Sequence, residues 1–131
     1  MTTDKSPARR VLVVDDEALM RWWMAETLTV LGYAVIEAAD ARHALRAIAD
    51  VATPVHVILL DYHLPDSRDL TLLATIRRVA PGSPVIMMTI HGPPDVPTGA
   101  LALGAHCVLH KPFDMRELVD AVQGAYRRSL H

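Results

Sequence analysis

Apolar residues in this chain come in two spacings. Five short runs are continuous: Val11–Val14, Ala34–Ile36, Val57–Leu60, Val85–Met88 and Cys107–Leu109. Three of them are four-residue blocks with no polar alternation, the pattern of strands covered on both faces, as in a parallel sheet. Between the runs, apolar positions recur at close to 3.6 residues. Met20, Trp23, Met24, Leu28 and Leu31 predict a helix over 18–31, stopped by Gly32. Ala44, Leu45, Ile48 and Val51 predict one over 41–51, and Leu72, Leu73 and Ile76 one over 70–79 that ends before Pro81-Gly82. Leu118, Val119, Val122 and Tyr126 predict a helix over 115–126 with Asp114 as its N-cap. A helix between the last two strands is expected to begin only near Thr98, because Pro93, Pro94, Pro97 and Gly99 crowd its start.

The elements alternate strand and helix five times. That predicts one α/β domain, (βα)₅, with a parallel sheet covered by helices on both faces. Right-handed crossovers leave few strand orders, and the flavodoxin-like order 2-1-3-4-5 is the leading one. Ligands of such sheets bind beyond the carboxyl ends of the strands. The domain is expected over 10–128, with a flexible segment at 1–9 and a tail at 129–131.

Composition narrows this further. The 131 residues are 51% hydrophobic, enough to fold as one domain, and carry a net charge of −2 with no basic run, which argues against direct nucleic-acid binding. No apolar stretch reaches membrane-span length, MTTDKSPARR lacks a signal-peptide core, and Cys107 is the single cysteine. A soluble, cytoplasmic protein is the expectation, with Cys107 a small core residue. No histidine spacing matches a zinc signature.

Polar residues then mark the strand ends. The first strand runs into Asp15-Asp16-Glu17, the third into Asp61, the fourth into Thr89 and the fifth into Lys111-Pro112-Phe113. If these strands are neighbours, the groups meet on one rim. Clustered carboxylates repel one another, so one would tend to hold a proton, and a hard divalent cation relieves the repulsion. An aspartate can act as a nucleophile and form an aspartyl-phosphate. A threonine hydroxyl and a lysine ammonium supply donors for phosphate oxygens. One of Asp15 and Asp16 is also expected to cap the first helix.

VLVVDDE at 11–17, ILLDYHLPD at 58–66, VIMMT at 85–89 and GAHCVLHKPF at 104–113, in that order and spacing, resemble the receiver domains of bacterial two-component response regulators. The resemblance implies that Asp61 accepts a phosphoryl group from the phosphohistidine of a sensor histidine kinase or a histidine phosphotransfer protein. It implies Mg²⁺ (or Mn²⁺) held by Asp15, Asp16, Asp61 and the backbone carbonyl of His63. It further implies Thr89 and Lys111 as phosphoryl-binding residues, a cis bond before Pro112, and a signalling or homodimer face formed by helix 4, strand 5 and helix 5. Trp22, about 100° around the first helix from the core candidate Trp23, is a candidate kinase contact.

Some positions depart from the family pattern. Val108 stands where an aromatic ring usually rotates inward, and bulky Ile90 follows the switch threonine where a small residue is usual. No glycine occurs at 66–69, and Pro93-Pro94 interrupts 89-TIHGPPDVPT-98. His63 and His91, two residues beyond Asp61 and Thr89, flank the expected water route, and imidazoles titrate near neutrality, so aspartyl-phosphate lifetime is expected to vary with pH. A receiver-like interaction module little regulated by phosphorylation stays open as an alternative. A small aspartyl-nucleophile phosphohydrolase is disfavoured, because His63 replaces the second acid it would need. Whether the receiver stands alone or is part of a larger regulator stays open as well.

Overall fold

A computed structural model describes residues 8–90 and 95–130. Five strands and five helices alternate: β1 (Arg10–Val14), α1 (Ala18–Val30), β2 (Ala34–Ala38), α2 (Ala41–Ala49), β3 (Val57–Asp61), α3 (Thr71–Val79), β4 (Val85–Thr89), α4 (Asp95–Ala102), β5 (Cys107–His110) and α5 (Met115–Ser129). The strands form one parallel sheet in the order β2-β1-β3-β4-β5.

The continuous apolar runs are explained by two cores, one on each face. Leu12, Val14, Ile58, Leu60, Val85 and Met87 face α2, α3 and α4, packing on Ala44, Leu73, Ile76 and Ala100. Their alternate neighbours Val11, Val13, Val57, Leu59, Ile86 and Met88 face α1 and α5, packing on Met24, Leu28, Leu118, Val122 and Ala125. With period-2 side chains and both faces covered, every residue of a central strand must be apolar. Each fully buried Leu or Ile contributes about 1.5–3 kcal/mol. Trp23 joins the α1/α5 core and lies 6.1 Å from the Phe113 ring, while Trp22 is 59% exposed.

Four strands, β2 to β5, run past their apolar runs, because the end of a strand can keep its ladder bonds while a polar side chain turns to the rim or to solvent. β3 includes Asp61 and β4 includes Thr89. On edge strand β2, Glu37 points to solvent and pairs with Arg21 at 3.2 Å. Helix bounds also move. α4 begins at Asp95 rather than near Thr98, since the first helical turn has no intrahelical acceptor for its N–H groups and Pro97 there costs nothing. α2 ends at Ala49 rather than Val51: the Asp50 carboxylate accepts the Ala52 amide (3.1 Å) and the Thr53 hydroxyl (2.9 Å), turning Val51 outward, 92% exposed. α5 runs three residues past Tyr126, to Ser129. Asp114 caps α5 as expected, accepting the Glu117 amide at 2.8 Å. The segment expected to be flexible lies mostly outside the described residues, as do His91 and Pro93-Pro94.

Gly32 ends α1 with φ of 95°, a left-handed conformation. An added Cβ would also meet the Arg9 guanidinium, 2.8 Å away at the end of a flexible side chain. Gly32→Ala is expected to cost about 1 kcal/mol, nearly all from backbone conformation. The urea midpoint should fall with an unchanged slope; a midpoint equal to wild type would contradict the argument.

Candidate functional site: an acidic cleft at the sheet rim

The carboxyl ends of β1, β3, β4 and β5 meet at one rim, as parallel neighbours must. Asp15 leaves β1 with its backbone amide tied to Ala38 O of β2 (3.0 Å) and its carbonyl held by Arg21 Nη1 (2.8 Å). Its side chain is fully buried. One carboxylate oxygen accepts the Glu17 amide at 2.9 Å and the other receives Lys111 Nζ at 2.7 Å. The expectation that Asp15 or Asp16 caps α1 is therefore corrected. Glu17 is the cap residue and makes no side-chain cap bond, because the Asp15 carboxylate turns inward to close a local turn. Asp16 projects into solvent at the mouth.

Asp61 is the last residue of β3 and is 5% exposed. Tyr62 N bonds Met88 O at 2.8 Å, which holds the strand end in register with β4. The Asp61 carboxylate accepts the His63 amide at 3.3 Å and lies 3.4 Å from Lys111 Nζ, so Lys111 is closer to Asp15 than to Asp61. Burial pushes the Asp61 carboxyl up to about 6. The Lys111 charge pulls it down but only partly offsets this, while the Asp15 charge adds to the rise. Burial pulls the Lys111 ammonium down, but the hydrogen bond it donates to Asp15 and the charge of Asp61 outweigh this and hold the ammonium above its ordinary value. One carboxylate in a crowded acidic site thus holds its proton more tightly than usual.

Asp15, Asp16 and Asp61 each offer a carboxylate oxygen within 4.8 Å of the others. An all-oxygen donor set with excess negative charge, including a carboxyl whose ionised form is penalised, fits a hard divalent cation such as Mg²⁺ or Mn²⁺. His63 lies on the same cleft wall.

Thr89 is buried, and its hydroxyl donates to Ile90 O at 2.8 Å. Lys111 N donates to Thr89 O at 2.8 Å, extending the β4–β5 ladder to the rim, and the Lys111-Pro112 bond is cis. Ile90 is 52% exposed and lines a cavity of about 330 Å³ together with the acidic groups, His63, Arg68 and Lys111. Val108 pairs with Met87 in the sheet and packs on the α2/α3/α4 core, with too little volume to exchange between a buried and an exposed position as a ring would. Arg68 is the cleft residue that sequence reasoning passed over. A lone cation seven positions after a candidate nucleophile was its only signal. A larger cavity of about 790 Å³, lined by Arg77, His106 and Arg128, lies at the opposite end of the sheet and holds none of the predicted site residues.

Comparison with known proteins agrees with this fold. Residues 11–123 match the response regulator receiver domain family. The chain is 34% identical over 123 residues to the phosphate regulon transcriptional regulatory protein PhoB of Pseudomonas aeruginosa, covering 92% of this chain and 53% of that protein. It is 33% identical over 132 residues to the transcriptional regulatory protein PdtaR of Mycobacterium tuberculosis, covering 97% and 62%. It therefore spans about half to three fifths of the length of these curated relatives. Among solved structures, a receiver domain protein from Clostridium thermocellum superposes with a TM-score of 0.86 at 27% identity, covering 92% of this chain and 96% of that one. The beryllofluoride-activated NtrC4 receiver domain dimer gives 0.85 at 31% identity, covering 92% and 98%.

Proposed function

The chain belongs to the response regulator receiver domain family of two-component signalling, and from that premise we propose that Asp61 takes up a phosphoryl group and that this changes which partner the domain binds. The observation that carries the reading is the rim itself: a carboxylate at the end of a central strand, beside a buried acid and a lysine, opening on a cavity large enough for a phosphoryl group. An Asp61 oxygen attacks phosphorus as the P–N bond of a donor phosphohistidine breaks. The imidazole nitrogen keeps the electron pair and takes up a proton. Lys111, already between Asp15 and Asp61, supplies a positive charge for the incoming phosphoryl oxygens. The Thr89 hydroxyl would exchange its bond to Ile90 O for one to a phosphoryl oxygen. Asp15, Asp16, Asp61 and the His63 carbonyl would hold Mg²⁺ or Mn²⁺, which when bound neutralises carboxylate and phosphoryl charge.

The donor would be a sensor histidine kinase or a histidine phosphotransfer protein. Exposed Leu19 and Trp22 on α1, with Met115 at the start of α5, offer it an apolar contact. Leu101 and Leu103, also exposed, would serve the α4–β5–α5 face in pairing with a second copy or an output partner. The domain would work inside the cytoplasm; no described helix is long and apolar enough to cross a membrane.

One test is the mass of the intact protein after incubation with Mg²⁺ and a small acyl-phosphate, where a gain of one phosphoryl group is expected. A second reading, an interaction module little governed by phosphorylation, draws support from Val108 and from Ile90 in the cleft wall. Ile90 predicts slow uptake, because a donor must pass a β-branched side chain to reach Asp61. Ile90→Ala should raise the labelling rate by about tenfold, the equivalent of 1.4 kcal/mol in the barrier. Equal rates in mutant and wild type would remove Ile90 as the obstacle.

A further inference from the structure

The loop from Tyr62 to Leu70 follows Asp61 and contains no glycine, so its shape depends on what its amides and side chains bind. Leu64 and Ser67 exchange amide-to-carbonyl bonds of 3.0 and 3.3 Å, which close a tight turn. Asp66, inside that turn, reaches across to another element. Its Oδ1 accepts the Ala41 amide at 2.8 Å and its Oδ2 accepts the Arg42 amide at 3.1 Å, both in the first turn of α2.

A helix leaves its first four amides without intrahelical acceptors. In α2 the His43 amide is met by the residue before the helix, whose carboxylate accepts it (2.8 Å), and the Asp40 carbonyl accepts the Ala44 amide (3.1 Å) as the first helical bond. The Ala41 and Arg42 amides are met from a loop 25 and 24 positions further along the chain. A carboxylate on helix-terminal amides makes charge-assisted bonds, strengthened by the positive end of the helix dipole. One end of the phosphoacceptor loop is tied to β4 through Tyr62 N, and its middle is tied to α2 through Asp66. Between these two ties lies His63, whose amide bonds Asp61.

We propose that Asp66 is a positioning residue: by gripping the start of α2 it fixes the loop that sets His63 against the acidic cleft, and so tunes the affinity of that cleft for a divalent cation. The inference rests on the receiver reading given above. Groups that orient metal ligands from outside commonly shift affinity by about 10–100-fold, and the lower end is expected for a group that acts through the backbone.

The test compares Asp66→Ala with Asp40→Ala, which removes the other carboxylate cap of the same helix and leaves the loop alone. Mg²⁺ is titrated into each intact protein by calorimetry, and amide hydrogen exchange is followed without metal. Asp66→Ala should weaken Mg²⁺ binding about tenfold and speed exchange at the His63, Leu64 and Ser67 amides. Asp40→Ala should lower the melting temperature with both readouts as in wild type. Asp66→Asn keeps the side-chain volume and one acceptor oxygen and should fall between wild type and alanine, which covers poor folding of the alanine variant. Wild-type Mg²⁺ affinity in both Asp66 variants, or equal weakening by Asp40→Ala, would overturn the positioning role alone. A wild-type protein with no Asp61-dependent Mg²⁺ binding would overturn the receiver reading, and this inference with it.

Discussion

Asp61→Asn should leave the protein unable to gain phosphoryl mass under conditions in which the wild type gains one group. The rim offers several carboxylates, and their surroundings decide among them. Both Asp15 oxygens are engaged, by Lys111 at 2.7 Å and the Glu17 amide at 2.9 Å, and the side chain is fully buried. Asp16 is exposed and lies outside the grip of Lys111. Asp61 has longer contacts, 3.3 and 3.4 Å, and faces the cavity, so its oxygens are the most available to attack phosphorus beside a cation. With its carboxyl near 6 it is still mostly ionised at neutral pH, as a nucleophile must be. Intact mass after incubation with Mg²⁺ and an acyl-phosphate decides the matter. Label that persists in Asp61→Asn would move the acceptor to another residue.

The same substitution should make the metal-free protein more stable at neutral pH. The native carboxyl titrates near 6 against an ordinary 3.8. Between those values the folded chain holds a proton that the unfolded chain has lost, so stability falls as pH rises through this window and stays low above it. Asn removes that penalty and leaves Lys111 its closer partner, Asp15. At about 1.4 kcal/mol per pH unit, the gain is on the order of 3 kcal/mol above pH 6, and it disappears below about pH 4. Thermal melts in EDTA from pH 4 to 8 should show the two midpoints meeting at the acid end and the mutant ahead by several degrees at the neutral end. Added Mg²⁺ should narrow the gap by stabilising the wild type more, since a ligand that binds only the folded state adds stability. A mutant less stable than wild type at pH 7.5 without metal would mean that the Lys111–Asp61 pair outweighs the cost of burial.

Most of the fold was legible because the signals were local. Continuous apolar runs marked the central strands, and Gly32 and Asp114 marked helix ends by conformations and bonds that depend on a few neighbouring residues. The misplaced bounds share a cause. Residue type alone places Pro97 outside a helix and Val51 inside one, whereas the first turn of α4 tolerates proline and Asp50 turns Val51 out of its helix. The members of the cleft were legible from their places at strand ends, once the parallel order brought those ends together. Arg68 and Asp66 were not, because a charged residue in an irregular loop carries no periodicity, and its partners lie far away in the chain.

By itself, the sequence determined which residues could be buried on both faces, and hence a five-stranded parallel sheet with Asp15, Asp61, Thr89 and Lys111 at one edge. Those choices follow from side-chain period and from the cost of burying polar groups, which any short window of the chain expresses. Only the tertiary structure decided how charge is shared there. Lys111 lies nearer Asp15 than Asp61, the Asp61 carboxyl is raised rather than lowered, Ile90 lines the cleft, and Asp66 grips α2 instead of water. Differences of well under an ångström in distance, and the depth of burial around each group, set those outcomes, and neither is written in the order of residues.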